Sequence, residues 1–290
     1  MNLKNMALFF CFTFFVIFHT SGQKKVITVF SHGIADTWKQ VHGYVKSYKK
    51  NNTIYRNDRY LIHTPFVSFN YPDATSKFYR VNYNETSFGQ ENEIGRLNAA
   101  YTSAVQWDKN KTTDVILCGL SRGASNVLIF AGLHDINNVK AIVIESPYYA
   151  MSEVIESLMA KKNLSWLDVS YGETVAEFIF KKYSRHGWSP GKCLENISKD
   201  IPILIICSQE DQLVPASTSI NVYKKLVASG HKHTYIFIAD HGKHAAILQG
   251  SDGDKYQAIV NAFYKTYNLP YYAPSARQGK SLLTFCQPQL

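Results

Sequence analysis

Short contiguous runs of apolar, β-branched residues alternate along this chain with longer stretches in which apolar positions recur every three or four residues. The first pattern suits strands buried on both faces, and the second suits helices laid over them. Together they predict an α/β fold with a mostly parallel central sheet of about six strands and flanking helices. Strand candidates are Val26–Phe30, Phe66–Phe69, Val115–Cys118, Ala141–Ile144, Ile203–Cys207 and Tyr235–Ile238. Helical spacing is clearest over Glu91–Val105, Ala124–Gly132, Ser217–Ala228 and Ala258–Tyr267.

One stretch breaks the rhythm. No strand pattern occurs between Ser146 and Ile201, whereas Glu153–Ala160 and Thr174–Tyr183 have helical spacing. A helical insertion at about 146–200, ahead of the penultimate strand, reads as a cap. No linker-like run or internal repeat divides the chain, so 23–290 is expected to form a single domain carrying that cap. The pattern over 270–290 assigns that segment no place in the sheet.

The first 22 residues change how the composition is read. Lys4 precedes an uncharged apolar run, Ala7–Phe18, and small or polar residues follow at Thr20, Ser21 and Gly22. The run has 12 residues, whereas a spanning helix needs about 20. A secretory signal peptide over 1–22 and a secreted, extracytoplasmic protein are expected, with an N-terminal membrane anchor as the alternative. Of the cysteines beyond it, Cys118 and Cys207 end apolar runs and read as buried hydrophobes. Cys193 and Cys286 are then the more plausible disulfide pair in an oxidising compartment.

Hydrophobic residues make up 46% and charged residues 18%, which excludes a disordered chain. The formal charge of +9 raises a nucleic-acid reading. The basic residues, however, fall in scattered short runs (Lys46/Lys49/Lys50, Lys161/Lys162, Lys181/Lys182/Arg185, Lys224/Lys225) of the kind found on solvated helix faces. No nucleic-acid partner is expected, and the charge argues at most for weak association with an anionic surface. No Cys/His spacing suits a metal, so none is expected.

The candidate chemistry lies on loops after the strands. Gly119-Leu120-Ser121-Arg122-Gly123 follows one strand and precedes a helix rich in small residues. A serine hydroxyl needs activation to become a nucleophile. G-x-S-x-G in this setting makes a sharp turn that lifts the serine above the sheet, over a helix N-terminus that favours developing negative charge. The backbone N–H of Arg122 is one oxyanion-donor candidate; Ile34, after Ser31-His32-Gly33, supplies the other. For the acid, Asp211 in Glu210-Asp211-Gln212-Leu213-Val214-Pro215 is favoured, with Glu210 and Glu145 as rivals. For the base, His244 in His241-Gly242-Lys243-His244 is favoured over His241; it follows a small turn and is expected to lead directly into a helix.

The ordered set of His32-Gly33, GLSRG, EDQLVP and HGKH resembles the α/β-hydrolase superfamily over roughly Val26–Tyr267. The similarity is to serine esterase and lysophospholipase-like members, with prolyl-oligopeptidase-like members as the nearest alternative. It implies a Ser121–Asp211–His244 triad, acyl transfer through an acyl-serine, and no cofactor. The expected activity is carboxylic ester hydrolysis on small-molecule or lipid-like substrates. The alternatives are a serine peptidase acting on short peptides and a non-catalytic binding protein on the same fold. Tyr148, Tyr149, Trp166, Tyr171, Phe178, Phe180 and Trp188 in the cap segment would suit an apolar pocket wall.

Overall fold

The computed structural model describes residues 25–77, 80–108 and 113–287, so the expected signal peptide lies outside the described residues. In chain order the elements are β1 (Val26–Ser31), β2 (Ser47–Lys50), β3 (Thr53–Arg56), β4 (Phe66–Ser68), α1 (Glu91–Val105), β5 (Asp114–Leu120), α2 (Arg122–Leu133) and β6 (Val139–Glu145). They continue with α3 (Met151–Lys161), α4 (Val169–Ile179), α5 (Pro190–Cys193), β7 (Ile203–Ser208), α6 (Ala216–Ala228), β8 (Thr234–Ala239), α7 (Gly253–Thr266) and α8 (Ala273–Phe285). Each apolar run singled out as a strand forms one. The six assemble in the order β4-β1-β5-β6-β7-β8, with every neighbouring pair parallel.

Successive side chains of a strand point to opposite faces, which divides the core in two. Ile27, Val29, Val115, Leu117, Ile142, Ile144, Ile203 and Ile205 pack with α1, α2 and α6 on one face. Phe30, Ile116, Cys118, Ala141, Val143, Leu204 and Ile206 pack with α7 on the other. Because both faces are covered, the strands read as unbroken apolar runs. Full burial of each Val, Leu, Ile or Phe among them contributes on the order of 1.5–3 kcal/mol.

The strand order also locates a crevice. From β1 the chain runs to the edge strand β4, then returns to β5 on the other side of β1. Loops leaving the carboxyl ends of β1 and β5 therefore diverge, which is where open α/β sheets accept ligands. Ser31 and Gly119, at the ends of these strands, are register partners.

Four features differ from the sequence expectation. The β2–β3 hairpin carried no strand signal, because its residues are mostly polar and none is buried; its turn is Asn51-Asn52, both at positive φ (46° and 63°). The 270–290 region contains α8, whose buried face is made of small residues, Ser275, Ala276 and Gly279, with Leu283. That face lets α8 lie against α7 so closely that a Cβ on Gly279 would stand 1.9 Å from the Ala258 carbonyl oxygen. Third, α4 begins at Val169 instead of Thr174, since Asp168 caps its N-terminus by accepting from the Ser170 N–H at 2.8 Å. Finally, Cys193 and Cys286 are free and lie in the cores on opposite sides of the sheet, so the expected pairing is geometrically closed to them.

A Cβ on Gly123 would sit 2.1 Å from the Ser31 carbonyl oxygen, with backbone as its obstacle. Gly123→Ala must push α2 off the end of β1, and overpacking of this kind costs about 1–3 kcal/mol or more. A fall in the midpoint of thermal unfolding of at least several degrees is expected, measured by circular dichroism.

Candidate active site

Strand β5 ends at Leu120 and α2 begins at Arg122, leaving Ser121 to make the turn alone. It does so at φ 55°, ψ −121°, a region that a residue with a Cβ rarely enters and that costs on the order of 1–3 kcal/mol. The turn is held by the Ser121 N–H donating to the Glu145 carbonyl at 2.8 Å and the Ser125 N–H donating to the Ser121 carbonyl at 3.1 Å. Both motif glycines are required by space. A Cβ on Gly119 would lie 2.6 Å from the Gly123 carbonyl oxygen and 2.7 Å from Ala124 Cα.

The strained turn places the Ser121 hydroxyl 2.8 Å from His244 Nε2, and His244 Nδ1 lies 2.7 Å from Asp211 Oδ2. These three residues follow β5, β8 and β7, so parallel strands deliver all of them to one edge of the sheet. Asp211 is fully engaged. Its Oδ1 accepts from the N–H groups of Leu213 and Val214, both at 2.9 Å, and its Oδ2 accepts also from Ser146 Oγ at 2.9 Å. Burial pushes the Asp211 carboxyl up, but the His244 hydrogen bond and charge, with the two N–H donors, outweigh it and hold the group below its ordinary value. An ionised carboxylate against Nδ1 fixes the imidazole with its acceptor nitrogen toward Ser121.

The rivals fall elsewhere. Glu210 and His241 engage each other on the surface, with His241 Nδ1 3.1 Å from Glu210 Oε1, and Glu210 Oε2 accepts from the Gly242 N–H at 2.9 Å. The Glu145 side chain is engaged by the Tyr44 and Tyr256 hydroxyls, accepting from them at 3.1 and 3.0 Å. No helix follows His244 directly. Turns continue to Gly250 and α7 starts at Gly253, because Gly242 (φ 132°) and Ala245 (φ 60°) bend the loop and Asp252 accepts from the His241 N–H at 2.8 Å.

Of the two expected oxyanion donors, Arg122 adjoins the serine in the chain, and Ile34 follows a glycine that approaches it. A Cβ added to Gly33 would lie 3.6 Å from Ser121 Cβ. That is an ordinary contact, so the space at Gly33 does not demand glycine. The Gly33 N–H donates to Gln40 Oε1 at 2.8 Å. Its carbonyl lies 2.7 Å from His32 Nδ1 and accepts from Arg122 Nη2 at 3.3 Å. His32 Nε2 accepts from the Tyr71 N–H at 3.2 Å, which puts the imidazole proton on Nδ1, donating to Gly33. Burial, then the nearby Arg122 charge, lowers the His32 pKa to about 3, so this tautomer is neutral.

A buried ionic cluster beside the serine was not evident in the sequence. The Arg122 side chain is 1% exposed; its Nη1 donates to Asp73 Oδ2 at 2.6 Å and Glu93 Oε1 at 3.1 Å, and its guanidinium lies 4.6 Å from the Tyr71 ring centroid. Glu93 also accepts from the N–H groups of Ser87, Phe88 and Gly89 and from Asn126 Nδ2. One signal was available: Glu93 stands four residues before Leu97, on the apolar stripe of α1.

The helical segment expected to form a cap packs Phe180 and Tyr183 with Phe88 and Ile34. Its aromatics divide between solvent and core. Trp166 and Phe178 are 77% and 74% exposed and Tyr171 and Trp188 also face solvent, whereas Tyr148 is buried and Tyr149 packs on the core. Among the described residues no group of three or more His, Cys, Asp or Glu could hold a metal ion.

Residues 97–268, more than half of the chain, match the prolyl oligopeptidase family model, Peptidase_S9. The chain belongs to this family. Its fold is that of the α/β-hydrolase superfamily. A Pyrococcus furiosus esterase, Pf2001, is 15% identical with a TM-score of 0.53, covering 84% of this chain and 83% of that one. The Pyrococcus horikoshii acylaminoacyl peptidase is 18% identical with a TM-score of 0.59, covering 88% of this chain and 38% of that one. Uncharacterized protein YqkD of Bacillus subtilis (strain 168) is 31% identical over 168 residues, 55% of this chain and 52% of that protein. The chain thus spans about half the length of this relative.

Burial raises the Glu145 carboxyl to about 7. Between the ordinary carboxylate value and pH 7 the folded chain keeps a proton that the unfolded chain releases. This group therefore lowers stability progressively as pH rises through that window, and its effect levels off above it. In urea titrations at pH 5 and pH 8, Glu145→Gln should lose less stability across the interval than the unsubstituted protein.

Proposed function

We propose that the protein is a serine hydrolase that cleaves carboxylic esters, with Ser121 as nucleophile, His244 as general base and acid, and Asp211 as the group that orients the imidazole. The observation that carries this reading is the continuous Ser121–His244–Asp211 relay, with contacts of 2.8 and 2.7 Å, ending in a nucleophile held on a strained turn. Membership of the prolyl oligopeptidase family supports hydrolysis as its chemistry.

The relay can run both halves of an acyl transfer. His244 Nε2 takes the Ser121 proton as Oγ bonds to the substrate carbonyl carbon, and the carbonyl oxygen becomes an oxyanion facing the N–H groups of Arg122 and Ile34. The intermediate collapses by breaking the bond to the leaving alcohol, which departs with the proton from His244. Water then attacks the acyl-serine while giving its proton to His244, and Ser121 leaves as the hydroxyl. No cofactor enters these steps.

Two considerations favour esters over amides. An alkoxide leaving group needs less help from the general acid than an amine does. The likeness to an esterase also runs nearly the length of both chains. Peptide hydrolysis is the second reading, favoured by the family match and by the likeness to an acylaminoacyl peptidase.

A fluorophosphonate probe should label the protein at Ser121, and Ser121→Ala should abolish both labelling and turnover. Asp211→Asn, which removes the carboxylate charge beside Nδ1, should lower kcat by roughly 10³- to 10⁴-fold. A panel of p-nitrophenyl esters of varied acyl length, run beside a dipeptide anilide, separates the two substrate classes. Turnover of the anilide but of none of the esters would overturn the ester reading.

A further inference from the structure

The residue after the nucleophile has a side chain that a turn-making position does not require. A guanidinium at 1% exposure incurs a large desolvation cost, and here it is offset by two carboxylates, Asp73 and Glu93, each essentially fully buried. Such a cluster is a weak source of stability compared with well-packed apolar residues, so its geometry is the more informative feature. Nη1 makes the two ion pairs, whereas Nη2 reaches the carbonyl of Gly33. The same carbonyl accepts a hydrogen bond from His32 Nδ1, and the N–H at the other side of Gly33 is held by Gln40.

A trans peptide is planar, and its carbonyl and N–H point in opposite directions. Fixing the Gly33 oxygen against Arg122 and His32 therefore fixes the direction of the Ile34 N–H, which leaves the same peptide from its opposite edge. Resting on the reading of Ser121 as nucleophile, we propose that the Arg122 side chain is a positioning residue for the oxyanion site: it locks the Gly33–Ile34 peptide so that its N–H is aimed for the transition state. One residue then serves both donors, contributing its own N–H and orienting the other. Asp73 and Glu93 are the struts of this device. Asp73 is itself held by Thr86 Oγ1 at 2.6 Å, and Glu93 ties the Ser87–Gly89 backbone to the same guanidinium.

A donor that is merely mis-aimed should weaken transition-state binding and leave ground-state binding alone. The test uses Arg122→Lys, which keeps the charge but loses the planar fork, and Asp73→Asn, which loosens one strut while Glu93 keeps the other. Both are compared with the unsubstituted protein and with Ser121→Ala, using p-nitrophenyl acetate for turnover and phenylboronic acid as the tetrahedral analogue. Folding is monitored by thermal melting. Arg122→Lys should lower kcat by about 10- to 100-fold with KM changed by less than about threefold. The inhibition constant of the boronic acid should rise in step with the loss in kcat/KM, and Asp73→Asn should show the same split to a smaller degree.

A folded Arg122→Lys protein with unchanged kcat, or with reduced kcat but an unchanged boronic acid constant, overturns the proposal. Should Arg122→Lys fail to fold, the kcat-against-KM split and the boronic acid constant of Asp73→Asn decide on the same criteria. Turnover retained by Ser121→Ala would instead sink the nucleophile assignment, an outcome separable from any result at Arg122.

Discussion

The structure turns on a reversal completed within one residue. Ser121 must end a buried strand and start a buried helix, and it does so only because the neighbouring backbones come closer than any side chain would permit. Gly119 lets α2 fold back over the end of β5, and Gly123 lets the same helix meet the end of β1. The strain at Ser121 is held by bonds on either side, one to the adjacent strand β6 and one within α2. Relaxing the turn would move the hydroxyl away from His244 and carry the Arg122 side chain with it, so the serine hydroxyl, its imidazole contact and the buried ion cluster share one mechanical origin.

Parallel strands explain why so distant a set of residues converges. Each of β1, β5, β6, β7 and β8 delivers its following loop to the same edge, which gathers Gly33, Ser121, Ser146, Asp211 and His244 from 212 residues of chain. Within that edge, identity alone does not select partners. Glu210 is adjacent to Asp211 and His241 lies three residues from His244, yet the rivals pair with each other at the surface. What separates the two pairs is burial: Asp211 sits where two backbone N–H groups and Ser146 await it, whereas Glu210 stands in solvent.

Much of this was legible in the sequence because contiguous apolar runs have one dominant use in a sheet covered on both faces. The six strands are direct readings of that kind, the helix over Glu91–Val105 follows from its three-to-four-residue spacing, and the serine, acid and base candidates come from short motifs on the loops after the strands. What escaped notice has a common physical reason. The β2–β3 hairpin and α8 are stabilised by turn geometry and by small residues at close contact, which hydrophobic periodicity does not register. The Arg122–Asp73–Glu93 cluster joins residues far apart in the chain, and a charged residue normally signals surface; only the position of Glu93 on the stripe of α1 hinted otherwise. The exposure of Trp166, Tyr171, Phe178 and Trp188 is not legible for the converse reason, since bulky apolar residues normally signal interior.

The four described cysteines carry a consequence for how this protein meets its chemical surroundings. All are buried and unpaired, and burial raises their thiols to about 11 for Cys193 and about 12 for Cys118, Cys207 and Cys286. Thiolate is the form that attacks disulfides and oxidants, and at neutral pH these groups hold almost none of it. The described residues thus hold the fold together without a disulfide, and their buried thiols are poor nucleophiles at neutral pH.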